Sequence, residues 1–140
     1  MIDRTEVLAG KVLIADDQPA NVLLLERLLR GAGYRCVEST MDPRGVSELH
    51  RKNRYDLILL DLHMPGLDGF RVLQALKLVD PDGYLSVLVM TAHPGHEEHA
   101  LLAGAKGFVS KPFKALEVLA QVYDMMELSL MERRAQKQSV

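Results

Sequence analysis

Five polar residues of this 140-residue chain each stand at the end of an apolar run. Asp16 and Asp17 follow "KVLIA", Asp61 follows "LILL", Thr91 follows "VLVM" and Lys111 follows "GFVS". Three carboxylates brought to one buried rim would repel one another and lose hydration, so without a cation at least one would hold a proton. A hard divalent ion removes that conflict. Oxygen ligands with no cysteine cluster favour magnesium, which keeps several waters and completes its shell with phosphate. Lys111 adds positive charge opposite such a metal, and the Thr91 hydroxyl can donate to a phosphoryl oxygen. The set amounts to a phosphoryl-transfer site in which Asp61 is the nucleophile and becomes an acyl phosphate.

That chemistry requires a scaffold that delivers all five residues to one edge. "KVLIAD" reads as a strand and "PANVLLLERLLRGAG" as a helix, with Val22, Leu25, Leu28 and Leu29 at helical spacing. Pro19 suits its first turn, and Gly31 or Gly33 ends it. "YRCVE" is followed by a helix opened by Asp42-Pro43, with Val46 and Leu49 on one face. "DLILLD" is followed by a helix from about Asp68 to Leu78, "YLSVLVM" by one around Glu97 to Ala103, and "KGFVS" by a last helix from about Lys114. Five repeats of strand then helix, joined by short loops, predict an α/β fold: a parallel sheet covered by helices on both faces. In such sheets ligands bind at the carboxyl ends of the strands, where all five residues fall. Strand two ends in Glu38-Ser39-Thr40, which suits an outermost position.

Taken singly, each residue has a plainer reading: Asp61 as a turn residue, Lys111-Pro112 as a strand exit, Asp16-Asp17 as a helix N-terminal signal. Their joint placement on separate loops favours the site. Length bounds the chain to one domain with a full-sized core. Hydrophobic residues at 48%, charged residues at 26% and a net charge of -2 describe a globular protein without a polyanion-binding surface. The apolar runs are too short to span a bilayer and "MIDRTE" is not a signal peptide, so a cytoplasmic protein is expected. Cys36 is the single cysteine, which excludes an internal disulfide; within "YRCVE" it reads as a small core residue.

With these residues in place, the chain closely resembles the receiver domain of two-component response regulators. The matches are "LIADDQPAN", "DLILLDLHMPGLDGF", "VMTA" and "GAKGFVSKPF", in family order and spacing, over about Lys11 to Met126. The resemblance implies a flavodoxin-like (βα)5 doubly wound fold with strand order 2-1-3-4-5. It implies a phosphoacceptor domain, not an enzyme with external turnover, that takes phosphate onto Asp61 from a histidine kinase or phosphotransfer protein. By the same resemblance Asp17, Asp61 and the backbone carbonyl of His63 bind Mg2+ directly, and Asp16 acts mainly through water. Thr91 is then the switch hydroxyl, Phe108 the switch aromatic, and the Lys111-Pro112 bond is cis. The surface of the fourth helix, fifth strand and fifth helix is the implied effector site, with Phe108 expected to lie inward.

A metal-dependent phosphatase of the haloacid-dehalogenase kind also forms an aspartyl phosphate at a strand tip, but it needs an aspartate two positions later, where this chain has His63. A receiver-like scaffold that is never phosphorylated is a further alternative, opposed by retention of the whole polar set. His63 and His93 fall at the positions that flank the attacking water in the resemblance, and are candidates for tuning hydrolysis. His93, His96 and His99 recur every third residue without a carboxylate or cysteine to complete a metal set. The receiver is expected over 1–128, with 129–140 a helical extension or linker. No nucleic-acid-binding motif follows. Leu119, Tyr123, Met126 and Leu130 fall near one side of the last helix and mark it as a possible homodimer contact.

Overall fold

The computed structural model describes residues 2–64, 67–80, 83–92 and 95–138; the Pro65-Gly66 turn and His93 lie outside them. Five strands, β1 (Lys11–Ala15), β2 (Cys36–Thr40), β3 (Leu57–Asp61), β4 (Ser86–Thr91) and β5 (Gly107–Ser110), form one parallel sheet in the order β2-β1-β3-β4-β5. They alternate with α1 (Pro19–Gly31), α2 (Val46–Asn53), α3 (Gly69–Leu78), α4 (His96–Leu102) and α5 (Ala115–Gln138). This is the parallel sheet covered on both faces expected from the five repeats, with the flavodoxin-like strand order that the resemblance implies.

The interior strands are buried on both faces, and their period of two sorts side chains into two cores. Leu57 and Leu59 of β3 join Val12, Ile14, Leu88 and Met90 against Leu25 and Leu29 of α1 and Val118, Val122 and Met126 of α5. Ile58 and Leu60 join Leu13, Ala15, Val87 and Val89 against Val46 of α2, Leu73 and Leu76 of α3, and Ala100 of α4. One fully buried side chain of this size stabilises by about 1.5–3 kcal/mol. The hydrophobic run of β3 therefore fixes Asp61 at the sheet's carboxyl edge far more firmly than any loop would.

Local devices match the expected boundaries. Pro19 occupies the first turn of α1, and Gly33, at φ +105°, closes the exit after its C-cap Ala32. Asp68 caps α3 by accepting from the Phe70 N–H at 2.9 Å. Gly69 is required next to it, because a Cβ there would lie 2.6 Å from the Leu62 backbone. A short antiparallel pair, His63–Met64 with Leu67–Asp68, carries the chain from Asp61 to that helix.

Two features differ from the sequence reading. A helix at Arg4–Leu8 precedes β1, closed by a reciprocal capping box between Asp3 and Glu6. Asp3 followed three residues on by Glu6 is a start signal, but five residues are too few to show a helical period. Cys36 is exposed rather than in the core. On the outermost strand only one face is covered, and Val37, one residue along, takes the inward position. The outer edge there is partly covered by Arg30, which donates to the Val37 carbonyl at 2.7 Å.

α5 runs unbroken from Ala115 to Gln138, so residues 129–138 are helical and continuous with it. The side considered for a dimer is used within the chain: Met126 is buried, and Leu119, Tyr123 and Leu130 pack on the α1–α5 core. Beyond it, the Ser129 hydroxyl donates to the Asp56 carbonyl at 2.8 Å and lies 2.6 Å from the Ser86 hydroxyl. Arg133 pairs with the buried Asp56 carboxylate and lies over the Tyr84 ring, and Arg134 pairs with Glu6 of the N-terminal helix. No helix among the described residues is long and apolar enough to cross a membrane.

Candidate functional site

Four of the five strand exits converge on one cluster at the carboxyl edge of the sheet. Asp16 leaves β1, Asp61 ends β3, Thr91 ends β4 and Lys111 follows β5, while β2 contributes nothing comparable. Carboxylate oxygens of Asp16, Asp17 and Asp61 all lie within 4.8 Å of one another. Asp16 and Asp61 are essentially fully buried, at 0% and 2% exposure. Like charges this close and this dry are costly unless compensated.

Part of the compensation is internal. Lys111 Nζ lies 3.1 Å from Asp61 Oδ2 and 3.2 Å from Asp16 Oδ2, bridging the two strands. Asp61 Oδ1 accepts the His63 backbone N–H at 3.0 Å, and Asp16 Oδ1 accepts that of Gln18 at 2.9 Å. Each carboxylate is thus held in orientation by its own following loop. Asp16 Oδ2 lacks an aligned hydrogen bond despite the lysine, and buried Asp17 Oδ1 has no partner among the described residues. Three carboxylates against one ammonium leave two uncompensated negative charges if all are ionised. Orphaned carboxylate oxygens at that spacing fit a divalent oxygen-binding cation, and the donor set contains no soft ligand.

Thr91 is buried at the end of β4, and its carbonyl accepts the Lys111 N–H at 2.9 Å, so the exits of β4 and β5 are locked together. The Lys111-Pro112 peptide is cis. Phe108 pairs with Val89 across the β4–β5 register and is half-buried against the α2–α4 core. By strand parity Thr91 shares that face with Val89. Phe108 therefore lies on the same face as the threonine, one strand over and two residues back in register, and is half-buried. His63 is exposed on the wall of a cavity of about 210 Å3 that also meets Gln18, Asn21, Asp61, Ala92 and Lys111.

Sequence reasoning missed Gln18, which stands between the acidic pair and α1, and Asn21, which reads as an ordinary residue of the first turn of α1. It also missed Gln121 as a partner of β5: its Nε2 donates to the Phe108 carbonyl at 2.6 Å. No local signal marks Gln121, since the contact exists only once α5 lies on β5.

A family model described as the response regulator receiver domain matches residues 12–123. The chain is 34% identical over 128 residues to the sensory/regulatory protein RpfC of Xanthomonas campestris pv. campestris, covering 87% of this chain and 17% of that protein. It is 34% identical over 125 residues to the response regulator PleD of Caulobacter vibrioides, covering 88% of this chain and 27% of that one. It therefore spans less than a third of either relative's length. A solved structure of the receiver domain of the sensor histidine kinase PA1611 from Pseudomonas aeruginosa, with a magnesium ion coordinated in its active-site cleft, superposes with a TM-score of 0.76 at 28% identity. That match covers 85% of this chain and 98% of the other.

Proposed function

The chain belongs to the response regulator receiver domain family, whose members are phosphoacceptor signalling domains, and we propose that Asp61 is its acceptor and a phosphohistidine its donor. The observation that carries this reading is Lys111 Nζ standing between the Asp61 and Asp16 carboxylates, beneath a cavity that opens over Asp61. An Asp61 oxygen forms the new bond to phosphorus as the phosphorus–nitrogen bond breaks, and the electron pair stays on the departing ring nitrogen. Lys111 and the Thr91 hydroxyl then hold two phosphoryl oxygens.

Mg2+ is the cation that suits the acidic cluster, with Asp17, Asp61 and the His63 carbonyl as direct ligands and Asp16 acting through water. When bound, it supplies charge neutralisation for the incoming phosphoryl group. Phosphate on Asp61 draws the Thr91 hydroxyl toward it, the half-buried Phe108 settles further inward, and the α4-β5-α5 surface changes toward an effector. A cytoplasmic histidine kinase or phosphotransfer protein is the corresponding partner. The domain promotes only its own phosphorylation and dephosphorylation.

Acetyl phosphate, or beryllofluoride with Mg2+, tests this directly. One equivalent per chain is expected, lost in Asp61→Asn. Sustained turnover of external phosphate esters would instead favour a phosphatase, and no modification at all a scaffold. His63, on the cavity wall, and His93 are proposed to set phosphoryl lifetime. Autodephosphorylation of His63→Ala and His93→Ala should then depart from the parent between about pH 6 and 8, where imidazoles titrate. Identical profiles in all three would remove both residues from that role.

A further inference from the structure

Two residues on the cavity over Asp61 take no part in the chemistry derived above: Gln18, the N-cap of α1, and Asn21, in its first turn. The Gln18 N–H is committed to Asp16 Oδ1 at 2.9 Å, and the Asn21 N–H to the Gln18 carbonyl at 3.1 Å. What Asn21 offers the cavity is therefore its side-chain amide. It does not reach there as part of the acidic cluster, whose three members are Asp16, Asp17 and Asp61.

A transferring phosphoryl group spreads its charge over three equatorial oxygens. Lys111, Thr91 and the cation of the acidic cluster provide one partner for each. The leaving group departs on the side of phosphorus opposite Asp61, into the cavity that Asn21 and His63 help to line. From a phosphoimidazole protonated at its second ring nitrogen, imidazole leaves neutral and keeps that N–H. Ammonia, leaving from phosphoramidate, likewise carries N–H groups. The carboxylate that leaves an acyl phosphate carries none.

We propose that Asn21 is a donor-recognition residue: its side-chain carbonyl accepts the N–H of a nitrogen leaving group and so favours phosphoramidates over acyl phosphates. The Asp61–phosphorus bond forms as the phosphorus–nitrogen bond breaks and the electron pair remains on nitrogen; imidazole leaves neutral from the donor already protonated at its second ring nitrogen, and ammonia from zwitterionic phosphoramidate, so neither takes a proton from the protein. Asn21 holds the leaving group in line and transfers no proton. This inference rests on the reading of Asp61 as acceptor.

The test compares rates of phosphorylation of the full chain by monophosphoimidazole, phosphoramidate and acetyl phosphate, all with Mg2+, in the parent, Asn21→Leu and Asn21→Asp. Asn21→Leu should lower the two nitrogen donors about tenfold more than acetyl phosphate, the worth of one hydrogen bond. Asn21→Asp, which keeps an acceptor oxygen at the same reach, should recover the donor ratio even if the added charge slows all three. An unchanged ratio in Asn21→Leu, or a ratio that Asn21→Asp leaves as low as leucine does, overturns the proposal. A parent chain labelled by none of the donors overturns the acceptor reading, and this proposal with it.

Discussion

The side-chain amide of Gln121 donates to the backbone carbonyl of Phe108 at 2.6 Å, tying the middle of α5 to β5. The same side chain stands close to Gly107, where a Cβ would lie 3.0 Å from its Oε1. Gln121→Leu removes the donor and leaves a partly buried carbonyl unpaired, at a cost of about 1 kcal/mol. Urea denaturation should show that loss. Amide exchange should also quicken at β5 more than at β1, because only β5 loses its fastening to α5; equal exchange at both strands would contradict this role.

Lys111 is the only positive group bonded to the buried Asp16 and Asp61 among the described residues. Lys111→Ala leaves two dry carboxylates facing one another, so the apo protein should melt lower than the parent. Added Mg2+ should recover more of that loss than it adds to the parent. Asp61→Asn removes one charge from the cluster and should respond less to Mg2+ than the parent. Thermal melts of the three proteins with and without Mg2+ check both directions.

The extension of α5 should be part of the fold's stability. Asp56, 4% exposed at its side chain, accepts the Lys11 N–H at 2.8 Å and pairs with Arg133. Arg133→Ala leaves that carboxylate buried with no cation, which typically costs about 3 kcal/mol or more. A chain ending at Leu128 loses the Ser129 hydrogen bond as well and should be less stable still. Equal midpoints in urea for parent and Arg133→Ala would show that the pair contributes nothing.

Tyr34 is buried, and burial pushes its phenol up to about 12 from 10. Below pH 10 both folded and unfolded chains keep the proton. Between pH 10 and about 12 the unfolded chain releases it while the folded one does not, so stability falls as pH rises through that window. Tyr34→Phe should flatten the fall. Some of it should persist, because burial also raises the phenol of Tyr55. The Tyr34 hydroxyl is buried without a partner among the described residues, so the phenylalanine variant should not be destabilised at neutral pH. Urea melts of both proteins at pH 7 and across the alkaline window measure this.

The expectation for Cys36 shows where a single strand stops being informative. "YRCVE" marks a strand by composition, but which of Cys36 and Val37 faces inward depends on how the strand is laid against β1. On an outermost strand only one face is covered, and the register gave that face to Val37. The interior strands carry no such ambiguity, since residues of both parities are apolar and both are buried.

By itself, the sequence determined the order and type of the five strand–helix repeats and the carboxyl-edge positions of Asp16, Asp17, Asp61, Thr91 and Lys111. Periodicity and turn residues are local, and a parallel sheet sends every strand exit to the same side. Only the tertiary structure decided which remote groups meet: Lys111 between Asp16 and Asp61, Asn21 on the same cavity as Asp61, Gln121 on Phe108. It likewise joined Ser129 to Asp56 across 73 residues and Arg134 to Glu6 across 128. Such pairs leave no local pattern, because each side chain, read alone, is an ordinary polar residue of a helix or loop. Its partner is set by the packing of helices onto the sheet.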